Sequence, residues 1–155
     1  MKKVRFRLNG EMRSVHVEPH ETLLEVLRDK CGVKSPKCGC DRGDCGACSV
    51  LLNGHGVRSC LVFAVEVEDH EVVTVEGLSG ETLTAIQRKF IEYNSFQCGF
   101  CAPGVIISTA ELLERHENPT IEQIKEALSG NLCRCTGYTP IIDAIMDRKK
   151  GGCHE

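Results

Sequence analysis

Eight of the eleven cysteines in this 155-residue chain fall into two sets whose spacing suits metal ligation. Cys40, Cys45 and Cys48 run as C-x4-C-x2-C inside "CGCDRGDCGACSV", and Cys60 follows an Asn53-Gly54 turn signal as a fourth thiol. This is the plant-type [2Fe–2S] spacing, in which thiolates supply all four protein bonds to two irons. A loop wrapped around an anionic cluster must turn tightly and aim N–H groups at sulfur. Gly39, Gly43 and Gly46 meet that demand, because glycine takes positive φ without a Cβ clash. The second set, Cys98-x2-Cys101 and Cys133-x-Cys135, comes as two close pairs from separate stretches. Four thiolates arranged in this way hold either another iron–sulfur cluster or a tetrahedral zinc. In extended chain, residues two apart face one side, so Cys133 and Cys135 bind together while Arg134 points elsewhere.

Three cysteines remain. Cys38 does not complete the x4 interval to Cys45 and reads as a bystander, Cys31 as the end of a helix against the core, and Cys153 as part of the "GGCHE" tail. The histidines are scattered, with no i+4 partner and no adjacent nucleophile, so no catalytic residue is assigned.

A chain of this length holds one domain or two small ones, and small cores often depend on disulfides or metal. The polar N-terminus "MKKVRFRLNG" lacks the apolar segment of a secretory signal, and no run is long enough to span a bilayer. A cytoplasmic location follows, where reduced thiols favour ligation over disulfides. Net charge is −3 with both signs interspersed, which leaves no basic footprint for nucleic acid.

The elements that must position these thiols differ between the two halves. Val4, Phe6 and Leu8 alternate with charged residues, Asn9-Gly10 signals a turn, and Val15 and Val17 resume the alternation, which predicts a hairpin. "ETLLEVLRDK" predicts a helix stopped by the glycine after Cys31. "SVLLNGHGVRSC" predicts a second hairpin, and "EVVTVEG" a last strand. From residue 79 the period becomes helical in "TLTAIQRKFIEYN", "PGVIISTAELLERHE", "TIEQIKEALSGN" and "TPIIDAIMDRKK". Thr120 and Gln123 form a capping-box pattern, Gly130 marks a helix end, and Pro103 and Pro140 suit first turns. Each cysteine pair of the second set then lies between two helices, and docking the two helix pairs brings four sulfurs together. The fold class is α+β, with domains at 1–78 and 79–155.

The run "GCDRGDCGACSVLLNGHGVRSC", then "QCGFCAPG" and "GNLCRCTGY", resembles the iron–sulfur subunit of molybdenum hydroxylases, the xanthine dehydrogenase and aldehyde oxidase family, over nearly the whole chain. The resemblance implies a plant-ferredoxin-like β-grasp domain followed by an all-α four-helix bundle. It implies that Cys40, Cys45, Cys48 and Cys60 bind one [2Fe–2S] cluster and that Cys98, Cys101, Cys133 and Cys135 bind a second, which places zinc well behind. It further implies that Gln97 and Cys135 approach the molybdopterin of a large partner subunit, and that electrons pass on toward FAD, commonly on a third subunit. Ser49 and Ala102 stand where the family more often has threonine, and neither change removes a ligand. The competing readings are a free-standing two-cluster carrier and a zinc-stabilised interaction module.

Overall fold

The computed structural model describes residues 1–147, so Cys153 and the rest of the tail lie outside the described residues. β1 (Lys2–Leu8) and β2 (Glu11–Val17) pair antiparallel from Lys2↔Val17 to Leu8↔Glu11. Asn9 and Gly10 between them sit at φ 51° and 86°, the left-handed pair of a two-residue hairpin turn. Val4, Phe6 and Leu8 point into the core and Lys3, Arg5 and Arg7 outward, as a half-buried strand requires.

β3 (Ser49–Leu52) and β4 (His55–Arg58) form the second hairpin around Asn53-Gly54. β5 (Glu71–Val73) closes a five-stranded mixed sheet of order β2-β1-β5-β3-β4, parallel to β1 and antiparallel to β3. α1 (Leu23–Glu25) starts at a reciprocal Thr22/Glu25 cap and runs on into a π-helical turn, Val26–Lys30. Leu23, Val26 and Leu27 bury against the sheet with Phe6, Val17 and Val50. Cys31 ends this helix, its N–H donating to the Val26 carbonyl and its side chain packing on the same core.

The stretch "EVVTVEG" is not one strand. Pairing stops at Val73, and Val75–Leu78 forms a short helix, α2. The reason lies at Thr74, which is fully buried: its N–H donates to Asn9 Oδ1 at 2.8 Å, and Asn9 Nδ2 donates to its Oγ1 at 3.0 Å. That side-chain clamp takes the place of the next ladder bond and turns the chain.

Four helices follow: α3 (Ala85–Glu92), α4 (Ala102–Arg115), α5 (Ile121–Leu128) and α6 (Thr139–Asp147). Thr84 with Gln87, and Thr120 with Gln123, form reciprocal caps, and Pro103 and Pro140 lie in first turns. Their apolar faces meet in a second core that includes Phe90, Val105, Ile124, Ile141 and Ile145. α4 also packs on β3 and β4, so the helical region leans on the sheet edge that leads into Cys60.

Candidate metal centres

Cys40, Cys45 and Cys48 lie on the long loop between the π-helical turn and β3, and Cys60 on a 3₁₀ turn, Ser59–Leu61, after β4. The loop is tied down at its entry, where Arg28 donates to the carbonyls of Lys34 (3.0 Å) and Pro36 (2.7 Å). It is tied again where Lys37 N donates to the Ala47 carbonyl at 3.0 Å. Ser59 Oγ, next to Cys60, donates to the Cys48 carbonyl at 2.7 Å and brings two of the thiol-bearing segments together. The Cys48 and Cys60 sulfurs are 3.4 Å apart and buried beside Leu24. Cys40 and Cys45 sit nearer the surface, with the Cys45 N–H donating to Cys40 Sγ at 3.3 Å.

The backbone N–H groups of Arg42 and Cys45 bring the Cys40 thiol down to about 7, whereas burial and then the neighbouring Cys48 push Cys60 up to about 12. Gly43 and Gly46 have positive φ as expected, but Gly39 does not. Gly39 is needed for room: a Cβ there would stand 2.8 Å from Cys45 Sγ.

In the helical half, Cys98 and Cys101 occupy the α3–α4 connection and Cys133 and Cys135 the α5–α6 connection. Cys135 and Cys98 sulfurs lie 3.6 Å apart at the surface, and Cys101 pairs with Cys133 farther inside. Burial, then the Cys133 partner, pushes Cys101 up to about 12. The backbone N–H of Phe100 and then the Cys135 thiol hold Cys98 below its ordinary value. The "LCRCTGY" loop is stapled by Tyr138, whose hydroxyl donates to the Asn131 carbonyl and accepts from Cys133 N, each at 2.9 Å. Gln97 Nε2 donates to the Cys135 carbonyl at 3.1 Å, and both residues are exposed.

Two thiolates on one tetrahedral metal, with bonds of about 2.3 Å, stand roughly 3.7 Å apart. The pairs at 3.4 and 3.6 Å approach that separation. The remaining thiols group in the same way, Cys45 N–H reaching Cys40 Sγ in the first set and Cys101 pairing with Cys133 in the second, and among the described residues no three His, Cys, Asp or Glu donors converge on a single ion. Pairwise grouping suits a two-iron cluster, with two thiolates per iron, better than one four-coordinate zinc. Within a pair, crowded thiols resist joint ionisation, a penalty that a cationic metal removes.

Family models match both halves. One described as a 2Fe-2S iron-sulfur cluster binding domain covers residues 6–79, and one described as a [2Fe-2S] binding domain covers 74–146. The chain is 46% identical over 140 residues to the nicotine 6-hydroxylase small subunit of Paenarthrobacter nicotinovorans, covering 90% of this chain and 85% of that one. It is 42% identical over 146 residues to the xanthine dehydrogenase iron-sulfur-binding subunit of Escherichia coli O157:H7, covering 92% and 91%. Quinoline 2-oxidoreductase from Pseudomonas putida 86 contains a chain that superposes with a TM-score of 0.91 at 40% identity, covering 97% of each. This chain belongs to the iron–sulfur subunits of the molybdenum hydroxylases.

As a molybdenum-hydroxylase iron–sulfur subunit, the chain is an electron-transfer component of a multi-subunit oxidoreductase, and an iron–sulfur group is its cofactor. Several residues that matter to the site carry no role in the sequence reading. Tyr138 and Asn131 stood inside the quoted "GNLCRCTGY" run, yet nothing in their type reveals the staple. Arg58, within "VRSC", is likewise given no contact there. Its guanidinium instead donates to Ser49 Oγ and the Gly130 carbonyl, both at 2.7 Å. Among the described residues, no helix is long and apolar enough to cross a membrane.

Proposed function

We propose that this chain conducts electrons between a molybdopterin-bearing large subunit and a flavin-bearing subunit, acting in the cytoplasm. In this reading Cys40, Cys45, Cys48 and Cys60 hold one [2Fe–2S] cluster in a β-grasp domain (1–78). Cys98, Cys101, Cys133 and Cys135 hold another in a four-helix bundle (79–155). When bound, each cluster supplies one-electron oxidation and reduction at a potential set by its thiolates, N–H···S bonds and burial.

The observation that carries the proposal is the contact between the two cysteine loops: Leu132 N donates to the Cys45 carbonyl at 2.9 Å. One partner is itself a candidate ligand of the first set, and the other precedes Cys133 of the second. A short route of covalent bonds and one hydrogen bond therefore joins the sets, which two independent structural metal sites would not need. Exposed Gln97 and Cys135, hydrogen-bonded to each other, form the end of that route suited to a pterin held by the large subunit. In the first set Cys40 and Cys45 are half-buried, whereas Cys48 and Cys60 are buried.

The chain's residues need no general acid or base for this task. Their work is to hold metal, exclude water from Cys48, Cys60 and Cys101, and fix the separation of the two sets. Purification of the native assembly tests the proposal. It predicts about four irons and four acid-labile sulfides per copy of this chain, together with a large molybdopterin-binding chain. Zinc in place of iron, or a chain that purifies alone with its clusters intact, would overturn it.

A further inference from the structure

We infer that Arg58 is a positioning residue that locks the two cysteine loops together and so fixes the spacing across which electrons pass. The inference rests on the reading that both cysteine sets carry clusters. Arg58 lies on edge strand β4, two residues before Cys60, where an arginine would ordinarily extend into solvent. Instead Nη1 donates to Ser49 Oγ at 2.7 Å, and Ser49 Oγ in turn donates to the Gly46 carbonyl at 2.6 Å. Nη2 crosses to the helical half and donates to the Gly130 carbonyl at 2.7 Å. One planar guanidinium thus joins the residue after Cys48 to the residue three before Cys133.

The seam it spans has little room for error. A Cβ on Gly46 would stand 2.1 Å from the Gly130 carbonyl oxygen, and a Cβ on Gly104 would stand 2.2 Å from the Gly46 carbonyl oxygen. A Cβ on Gly130 would meet Arg58 Nη2 at 2.2 Å. The backbones at Gly46, Gly104 and Gly130 therefore approach with no room for a side chain between them, the guanidinium lies against Gly130, and the Leu132–Cys45 hydrogen bond lies within the same seam. A guanidinium presents its donors as a rigid fork, whereas an ammonium is a point charge on a flexible stem, so lysine cannot hold both acceptors in one geometry. Tunnelling decays exponentially with distance and favours bonded routes over gaps. Loosening this fork therefore acts on electron transfer between the sites while leaving each cage as built.

The test uses the native holo-assembly with Arg58→Met, Arg58→Lys and Ser49→Ala. Two readouts separate positioning from general stability: amide hydrogen exchange at Leu132, and the dipolar interaction between the two reduced centres by EPR. Expected for Arg58→Met and Arg58→Lys are unchanged iron content and unchanged individual g-values, with loss of Leu132 protection and a weakened dipolar interaction. Ser49→Ala, which removes one of the two anchors, gives a smaller loss of both. Wild-type Leu132 protection and dipolar interaction in Arg58→Met overturn the inference, as does loss of the clusters themselves in folded Arg58→Lys, which would make Arg58 part of cage assembly. If Arg58→Met does not fold, Arg58→Lys decides by the same two readouts. A wild-type chain without two clusters would defeat the functional reading separately, and Leu132 exchange would still judge the clamp.

Discussion

The amide of Leu132 and the carbonyl of Cys45 meet at 2.9 Å, and through that bond the loop of one cysteine set is fastened to the loop of the other. Neither group belongs to a helix or strand, so the bond is not a by-product of regular structure. Gly46 lets the sheet-side loop lie against the Gly130 backbone of the α5–α6 loop with no side chain between them, and Gly104 lets the start of α4 lie against Gly46 in the same way.

Gly46→Ala is therefore expected to be far worse than an ordinary glycine substitution. At φ +74° an alanine is already strained, and its Cβ would strike the Gly130 backbone oxygen, which has no flexible side chain to move aside. Strain and overpacking together predict a loss of about 2–4 kcal/mol. Gly54→Ala, at φ +82° in open space, isolates the strain and should cost only about 1 kcal/mol. Urea unfolding of the two variants checks this, and equal losses would show that the seam is not tightly packed.

Single-cysteine lesions should be local. Cys135→Ala removes an exposed thiol of the helical set, and Cys48→Ala a buried one of the sheet set. Each is expected to retain about half of the iron and to abolish a different reduced-state EPR signal. Simultaneous loss of both signals in folded protein would mean that the two cages are not separate.

Metal removal should unfold the second site before the sheet. The segments bearing Cys98, Cys101, Cys133 and Cys135 have little regular structure and link helices whose common core includes Cys101 and Cys133. Uncompensated thiols there leave the helix pairs without their shared anchor. Circular dichroism after chelation under reducing conditions should show loss of helix, with the β1–β2 hairpin amides still protected from exchange.

A pH effect follows from Glu76. Burial acts to raise its pKa, but hydrogen bonds from Ser35 Oγ (2.5 Å) and Thr74 Oγ1 (2.6 Å) hold it below the ordinary 4.5. A depressed carboxylate stabilises the fold fully above its unfolded pKa, and the contribution disappears as pH falls through the folded one. Glu76→Gln should thus cost about 1 kcal/mol at neutral pH, the exposure of the group keeping the effect small. The melting-temperature gap from wild type should close as pH drops below 4.5. A gap independent of pH would show that the carboxylate charge is not involved.

How much was legible beforehand depended on whether a feature is local. The two Asn-Gly hairpins, the Thr120/Gln123 cap and the four amphipathic helices are written in short-range pattern, and they stand where the pattern puts them. The spacing of Cys40, Cys45 and Cys48 was equally plain. The early end of β5 was not, because it depends on Asn9, sixty-five residues away, reaching Thr74. Gly39 serves close approach to Cys45 rather than a positive φ, and such an approach leaves no mark in sequence that differs from a turn. The seam itself was invisible: Leu132–Cys45 is backbone to backbone, and Arg58 looks like any charged residue on an edge strand.

The most direct measurement of the central claim is EPR spin quantitation of the fully reduced native assembly, with iron determined on the same sample. Two distinct signals of equal intensity are expected, one from each cysteine set. A single signal accounting for all the iron would contradict that claim.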